Sequence, residues 1–498
     1  MKNIVKVSLW LLIVLMATAC GKPADTPNKD RADRAKRADD MLWGDIVIGV
    51  AWKKDSPFMR GVELATKELN RKNGMMSWRG GRKIRLVKDD RISYADSSKR
   101  DYQKFIHKVA NSFATNRDVV AVIGHRSSSA AIPASVTYEK YGIVFIAPTS
   151  TNLELTNHNF KYVFRMLPDN EKMGEQLAAY CHNKGYERMA VLNDWGAYGE
   201  QLANSFIKSA VEKKNNIKIV FHRSFFPRKE DFLVIISEMR KKETDVIAEL
   251  KKKDRHASVG IDAIFLSTGA KVGGKLIKQS REMGIEKPFV GGDSLEALEF
   301  LKPSNSLTAQ EVKIIKKAAE KTVVPTVFNE HIFHAQKMIR NLLKENGIES
   351  DYQSAAKKLL RDSVGKVDEN VVLLTVLDEH VEKVQQFINN FKDEYGEDEE
   401  PNRYASLGYD AIHLLAYAMN KAQSTVPIAV ATRLRYMQEP WVGVTGVYHF
   451  KENGEPKDKK LYFKRLQNGK FEFVTEIHEP EIMQLIDKLK KVQSTTWR

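Results

Sequence analysis

The sequence predicts an α/β fold of parallel sheets with helices on both faces, and three observations carry that expectation. From residue 45 to about 300, short apolar runs alternate with stretches whose apolar residues recur at helical spacing. Most of the runs are short and apolar, as expected of parallel strands covered on both faces. Residues 160–168 separate two complete strand-helix series and carry no helix of their own. Two smaller sheets therefore fit better than one of some eight strands.

In chain order the expected strands are Asp45–Ala51, Lys83–Lys88, Val119–Ile123, Ile143–Ala147, Met189–Asn193, Ile217–Phe221, Ala263–Leu266 and Pro288–Val290. Among the intervening helices, Gly61–Asn70 gathers Val62, Leu64, Ala65 and Leu69 on one side, and Gln176–Asn183 holds Cys181 as a small buried hydrophobe. Beyond residue 328 the rhythm changes. Asn329–Asn346, Asp351–Ser363 and Glu379–Tyr395 read as polar-faced helices, with a strand-like run at Val371–Leu377. Tyr404–Ala422 is a strong helix, apolar at Leu407, Ala411, Leu414, Leu415 and Ala418. Gly443–Phe450, Leu461–Leu466 and Phe471–Val474 read as strands, with turns at Asn453-Gly454 and Asn468-Gly469 because both residue types tolerate positive φ. Pro480–Val492 reads as an amphipathic helix, and no internal repeat is visible.

The N-terminus reads as a targeting segment. Lys2 and Lys6 precede an apolar run, Val7–Met16, which is too short to span a bilayer. Ala17-Thr18-Ala19-Cys20 has the small-residues-then-cysteine form of a bacterial lipobox, so 1–20 is expected to be a lipoprotein signal peptide with Cys20 as the lipidated residue. Gly21 stands where an Asp would signal inner-membrane retention, which favours an outer-membrane anchor facing the periplasm if the source has two membranes. Residues 21–44 are polar and charged and are expected to form a flexible tether. Cys20 and Cys181 are the two cysteines, so stability has to come from a large core.

Net charge is +16, and +14 once the first twenty residues, with two lysines and no acid, are set aside. The cations are scattered over helix faces, as in Arg240-Lys241-Lys242, and no zinc-finger spacing or aromatic-basic motif accompanies them. This pattern implies solubility or attraction to anionic surfaces, not nucleic-acid recognition.

The most informative stretch lies between 119 and 165. Val119–Ile123 ends in Gly124-His125-Arg126-Ser127-Ser128-Ser129 and leads into a helix; Ile143–Ala147 ends in Pro148-Thr149-Ser150-Thr151. Two hydroxyl-rich loops at the carboxyl ends of successive strands, one opening a helix, suit a carboxylate or similar acceptor group. They indicate binding rather than catalysis. Ser127–Ser129 lacks the Gly-x-Ser-x-Gly elbow and an evident His–Asp pair, and no phosphate loop or dinucleotide fingerprint occurs. His331 and His334 are three apart, but no carboxylate-flanked motif makes them a metal site. No enzyme activity, cofactor or metal is expected.

These residues, with Pro133-Ala134-Ser135, Tyr138-Glu139, Gly142-Ile143, Asn152 to Thr156, Phe164-Arg165, Asp194 to Gly199, Gly291-Gly292-Asp293, Tyr404, Tyr409-Asp410-Ala411 and Gly443 to Gly446, resemble the leucine/isoleucine/valine-binding protein family. The resemblance covers roughly 45–475 with gaps. It implies a type I periplasmic-binding-protein fold, in which two lobes joined by three crossings close on a ligand. The crossings fall near Arg165–Pro168, Thr322–Val327 and Gly443–Tyr448. Lobe one is then 45–165 with 328–443, and lobe two 166–327 with 444–498.

By the same resemblance, Ser128, Ser150 and Thr151 hold the ligand's carboxylate, Tyr198 closes over it from lobe two, Asp293 takes an α-ammonium, and Tyr404 lines the pocket. A helix N-cap remains the alternative for both Ser128 and Asp293. Trp52 is a further candidate for the pocket wall. Arg126, Ser267-Thr268-Gly269-Ala270 and two insertions, about 240–259 and 330–378, depart from the branched-chain binders and favour a smaller or more polar ligand. The implied function is capture of an amino acid or related amide or carboxylate for an ABC importer, by a monomeric lipid-anchored protein whose partners are that ligand and a permease. The alternative is an envelope lipoprotein using the fold as a sensor or protein-partner regulator.

Overall fold

The computed structural model describes residues 26–40, 44–71, 74–75, 81–91, 101–226, 231–298, 308–330, 336, 340–341, 344, 369–457, 459 and 461–474. After an initial helix, α1 (Thr26–Asp40), the first sheet forms from β1 (Ile46–Ala51), β2 (Ile84–Lys88), β3 (Val119–Gly124), β4 (Val144–Ala147) and β5 (Val163–Arg165). All are parallel, in the order β2-β1-β3-β4-β5. Parallel neighbours need long crossovers, which α2 (Pro57–Arg71), α3 (Tyr102–Thr115) and α4 (Ser128–Tyr141) supply. Every residue of β1, β3 and β4 is buried, whereas the edge strand β2 is only partly so.

The second sheet begins after α5 (Asn170–Asn183). It contains β6 (Arg188–Asp194), β7 (Lys218–Phe225), β8 (Ala263–Ser267), β9 (Phe289–Gly291) and β10 (Val323–Thr326), interleaved with α6 (Ala197–Ala210), α7 (Leu233–Lys251), α8 (Ala270–Glu282) and α9 (Ala309–Ala318). Its core order, β7-β6-β8-β9-β10, repeats that of the first sheet, a topological duplication that the sequence does not display. The chain then returns to lobe one through α10 (Glu369–Tyr395), α11 (Arg403–Ala422), α12 (Pro427–Arg435) and the hairpin β11–β12 (Trp441–Gly443 and Gly446–Tyr448). Finally β13 (Tyr462–Gln467) adds antiparallel to β10 and β14 (Lys470–Phe473) antiparallel to β13, turning at Asn468 and Gly469, both at positive φ.

Three apolar clusters hold these layers. One covers a face of the first sheet (Phe113, Val122, Tyr138, Phe145) and another a face of the second (Leu192, Phe232, Ile264, Phe289). The third is continuous across both lobes, from Ile48 and Ile123 through Phe164, Met166 and Leu167 to Met189, Phe206 and Phe265. Phe206 and Phe265 stack with centroids 3.9 Å apart. Cys181 lies fully buried on α5, as its helical placement predicts.

Three expectations change. The segment read as a tether contains α1, which docks on lobe one. Its sequence lacks large apolar residues, but Arg34 inserts fully buried and donates to the carbonyls of Val119 (2.8 Å), Tyr141 (2.6 Å), Ala114 (2.6 Å) and Asn116 (3.3 Å). Arg117 ties Asp30 and Asp33 to the same edge. Docking here uses hydrogen bonds and ion pairs, so hydropathy gives no sign of it. Second, Val371–Leu377 is not a strand but continues α10; an apolar run of seven fits either period, and the helix that follows decides it. Third, the β11–β12 hairpin, through which the sequence drew the lobe-two boundary, packs on α10 and α11. Asp410 on α11 accepts from the amides of Val444 and Thr445 (both 2.8 Å), and the chain joins the second sheet only at Tyr462. The expected helices at Asp351–Ser363 and Pro480–Val492, the pair His331 and His334, most of Asn329–Asn346 and Cys20 lie outside the described residues.

Candidate functional site

In each sheet, neighbouring strands leave their carboxyl ends in opposite directions at one point: between β1 and β3 in the first, between β6 and β8 in the second. Ligands of open α/β sheets bind at such switch points. In lobe one, Gly124 ends β3 at φ +140°, where a Cβ would stand 2.7 Å from the Ala51 carbonyl; glycine lets the chain turn tightly there. The serine loop then opens α4. Ser127, with φ −109° and ψ 151°, takes the N-cap position, so the cap reading of Ser128 does not hold. Ser128 is 2% exposed, and its hydroxyl accepts from the Ser150 hydroxyl at 3.2 Å, which ties the two predicted loops together. Thr151 is fully buried, and its Oγ1 finds no hydrogen-bond partner among the described residues. Its carbonyl accepts from the amide of Asn170 at the start of α5. Deeper in the lobe, His125 pairs its Nε2 with the Tyr138 hydroxyl at 2.9 Å, and burial pushes its pKa down to about 3.

Lobe two faces these loops with Tyr198 and Asp293. Tyr198, in the first turn of α6, donates to Asp293 Oδ1 at 2.7 Å. Burial and the neighbouring carboxylate push its phenol well above the ordinary value, so it remains a donor. Asp293 opens a short 3₁₀ turn after β9 and is 4% exposed. Its second oxygen does not wait for an ammonium: Arg403 donates from Nη1 to Oδ2 at 2.8 Å and from Nη2 to the Asp293 carbonyl at 2.9 Å.

Arg403 is the residue that sequence reasoning missed. Asn402 caps α11, its side chain accepting from the amides of Tyr404 (2.9 Å) and Ala405 (3.1 Å), and so fixes Arg403 and Tyr404 in the first turn. Arg403 is 2% exposed, and its Nε lies 2.9 Å from Glu296 Oε2. Burial works against its charge, but Tyr404, Glu296 and Asp293 outweigh that and hold its pKa above the ordinary value. Glu296 also meets Lys464 of β13 at 3.6 Å, and Lys464 meets Glu330 at 3.0 Å. The available signal was a cation beside the predicted Tyr404, directly after Pro401-Asn402 and ahead of a strong helix.

Tyr404 itself lies under two guanidinium groups, Arg403 at 4.8 Å and Arg126 at 5.8 Å from its ring centroid. A continuous path of contacts therefore runs from the lobe-one loop through Arg126, Tyr404 and Arg403 to Asp293 and Tyr198 of lobe two. Asn152 adds a second inter-lobe tie, donating to the Ala197 carbonyl at 2.6 Å, and the Leu153 amide donates to Gln201 at 2.8 Å. Trp52 stacks on Phe58 with centroids 4.0 Å apart and belongs to the core beneath the loops. Of the departures, Thr268 donates to buried Asp194, whose carboxyl is pushed above its ordinary value by burial.

Comparison with known proteins fits this architecture. The family described as "Receptor family ligand binding region" matches residues 60–463. An amino acid binding protein of Pseudomonas aeruginosa is 27% identical over 259 residues, 50% of this chain and 61% of that protein. The Leu/Ile/Val-binding protein of Escherichia coli is 29% identical over 259 residues, 49% of this chain and 62% of that protein. The chain thus spans less than two thirds of the length of these relatives. An ABC transporter substrate-binding protein from Desulfitobacterium hafniense, solved in complex with Leu, superposes with TM-score 0.62 at 28% identity, covering 86% of this chain and 100% of that one. With two lobes of matching strand order joined by three crossings, the chain belongs to the receptor ligand-binding family and has the fold of a type I periplasmic binding protein.

Proposed function

We propose that this protein is a lipid-anchored extracytoplasmic receptor that captures a small polar ligand, an amino acid or a related amide or carboxylate, between its lobes for an ABC importer. The observation that carries this reading is the meeting of two hydroxyl loops at the first switch point. Ser128 and Ser150 are bonded to each other there, and the buried Thr151 hydroxyl beside them has no partner among the described residues. A buried hydroxyl left unmatched costs about 1–3 kcal/mol, which a ligand acceptor would offset. Calorimetry on residues 26–498, which retain α1, against amino acids, amides and small carboxylates tests the reading. At least one is expected to bind, with affinity reduced at least tenfold in Ser128→Ala/Thr151→Ala; an unchanged affinity would refute the assigned site.

A second reading, a sensor or protein-partner regulator, draws support from the inter-lobe ion pairs of Arg403 with Asp293 and Glu296, which favour closure through the protein's own groups. Function that persists in cells after Ser128, Thr151 and Asp293 are replaced would favour it over solute capture.

A further inference from the structure

We propose that the cleft selects a small carboxylate that carries no ammonium group, because Arg403 occupies the charge position that an α-ammonium would take on Asp293. This deepens the solute-binding reading and rests on it.

Both oxygens of Asp293 are already engaged: Oδ1 accepts from Tyr198 and Oδ2 from Arg403. The other acids nearby are engaged as well. Glu296 lies between Arg403 and Lys464, and Glu330 meets Lys464. Asp194 accepts from the Gly196 amide through one oxygen and from Thr268 through the other. An incoming ammonium would have to displace a guanidinium that is 2% exposed and shared by two carboxylates. Removing one partner from such a buried cluster is strongly unfavourable, because it strands the charges that remain.

What the cleft does offer is donors and positive charge. Ser127, Ser128 and Ser129 stand at the start of a 14-residue helix, whose end carries a partial positive charge. Thr151 contributes its unmatched hydroxyl. Arg126 is exposed and, among the described residues, lies over Tyr404 without a carboxylate partner. This set complements an anionic carboxylate at one end of the ligand and an uncharged or acceptor-bearing group where an amino acid would place its ammonium.

Matched pairs that differ only in that group provide the test: leucine against 4-methyl-2-oxopentanoate, alanine against pyruvate, and glutamate against 2-oxoglutarate, titrated into residues 26–498. At least one oxo acid is expected to bind at least tenfold more tightly than its amino partner. In the charge-balanced variant Arg403→Gln/Glu296→Gln, which leaves Asp293 without its guanidinium, that preference is expected to fall at least tenfold. Should an amino acid bind the unmodified protein as tightly as its oxo acid or more so, the inference is overturned while solute binding stands. Should none of the six bind either protein, the inference is overturned, and solute binding is decided by the wider panel of amino acids, amides and carboxylates.

Discussion

Arg165, the last residue of β5, and Glu455, on the final crossing between the lobes, form a buried ion pair at 2.6 Å, 290 residues apart in the chain. Around it, Arg165 donates to the Asn152 carbonyl at 2.7 Å and to Thr156, and Thr156 donates to Glu455 at 2.6 Å. Burial alone would raise the Glu455 carboxyl, but Arg165 and Thr156 outweigh it and hold it below its ordinary value. Close by, the Arg165 amide donates to the Gly454 carbonyl at 3.0 Å. Gly454 sits at φ +87°, where a Cβ would come within 2.0 Å of the Val163 carbonyl. Two crossings are thereby fastened side by side, next to the loop that carries Thr151.

Breaking this pair should therefore lower stability in a coupled way. Glu455→Gln is expected to reduce unfolding free energy by about 3–5 kcal/mol, the range for a buried pair with one partner removed. Urea unfolding of Glu455→Gln, Arg165→Met and the double variant measures the coupling. The double variant should be less destabilised than the sum of the singles. Strict additivity would show that the two side chains act independently.

Arg34 gives a second expectation. Arg34→Met leaves the carbonyls of Val119, Tyr141 and Ala114 without their donor, a loss of about 1–3 kcal/mol. The loss should be local, because α1 packs on lobe one from outside, against β3, α4 and α12. Limited proteolysis should then cut within 26–40 much faster than in the parent protein, with little change elsewhere. Equal cleavage rates would mean that the guanidinium does not secure the helix.

Acid sensitivity follows from two buried histidines. Burial pushes His125 down to about 3 and His380, which meets the Gly443 carbonyl at 2.8 Å, down to about 4. Unfolded histidine titrates near 6.5, so between pH 6.5 and those lower values the unfolded chain binds more protons. Stability must then rise with pH across that window and fall on acidification, by about 2 kcal/mol for each histidine at pH 5. Melting temperature measured from pH 7.5 to 5 should decline, and His125→Gln should flatten the decline. A slope indifferent to that substitution would assign the acid response to other groups.

Much of this was legible in the chain. The eight expected strands are all present; the inner ones, buried on both faces, leave an unambiguous record in composition, whereas the edge strands β2 and β7 are only partly buried. The Ser128, Ser150 and Thr151 loops follow β3 and β4 as the strand pattern predicts, and Tyr198, Asp293 and Tyr404, named by the resemblance, are linked through Arg403; their hold on a ligand is the proposal made above. The strands β5 and β10 were not expected because they fall at the segments read as crossings, near Arg165–Pro168 and Thr322–Val327. Arg403, Arg165 and Arg34 escaped for a different reason. A charged residue is expected at the surface, and nothing in its own neighbourhood shows that partners 80 or more positions away will make its burial affordable.

The docking of α1 also fixes an attitude. Arg34 and Arg31 grip the start of β3 and the end of α4, on the rim of the first sheet opposite the ligand loops. If Cys20 bears lipid, as proposed, five residues join it to the helix, a reach of roughly 17 Å at full extension. A leash that short cannot let the body tumble at will.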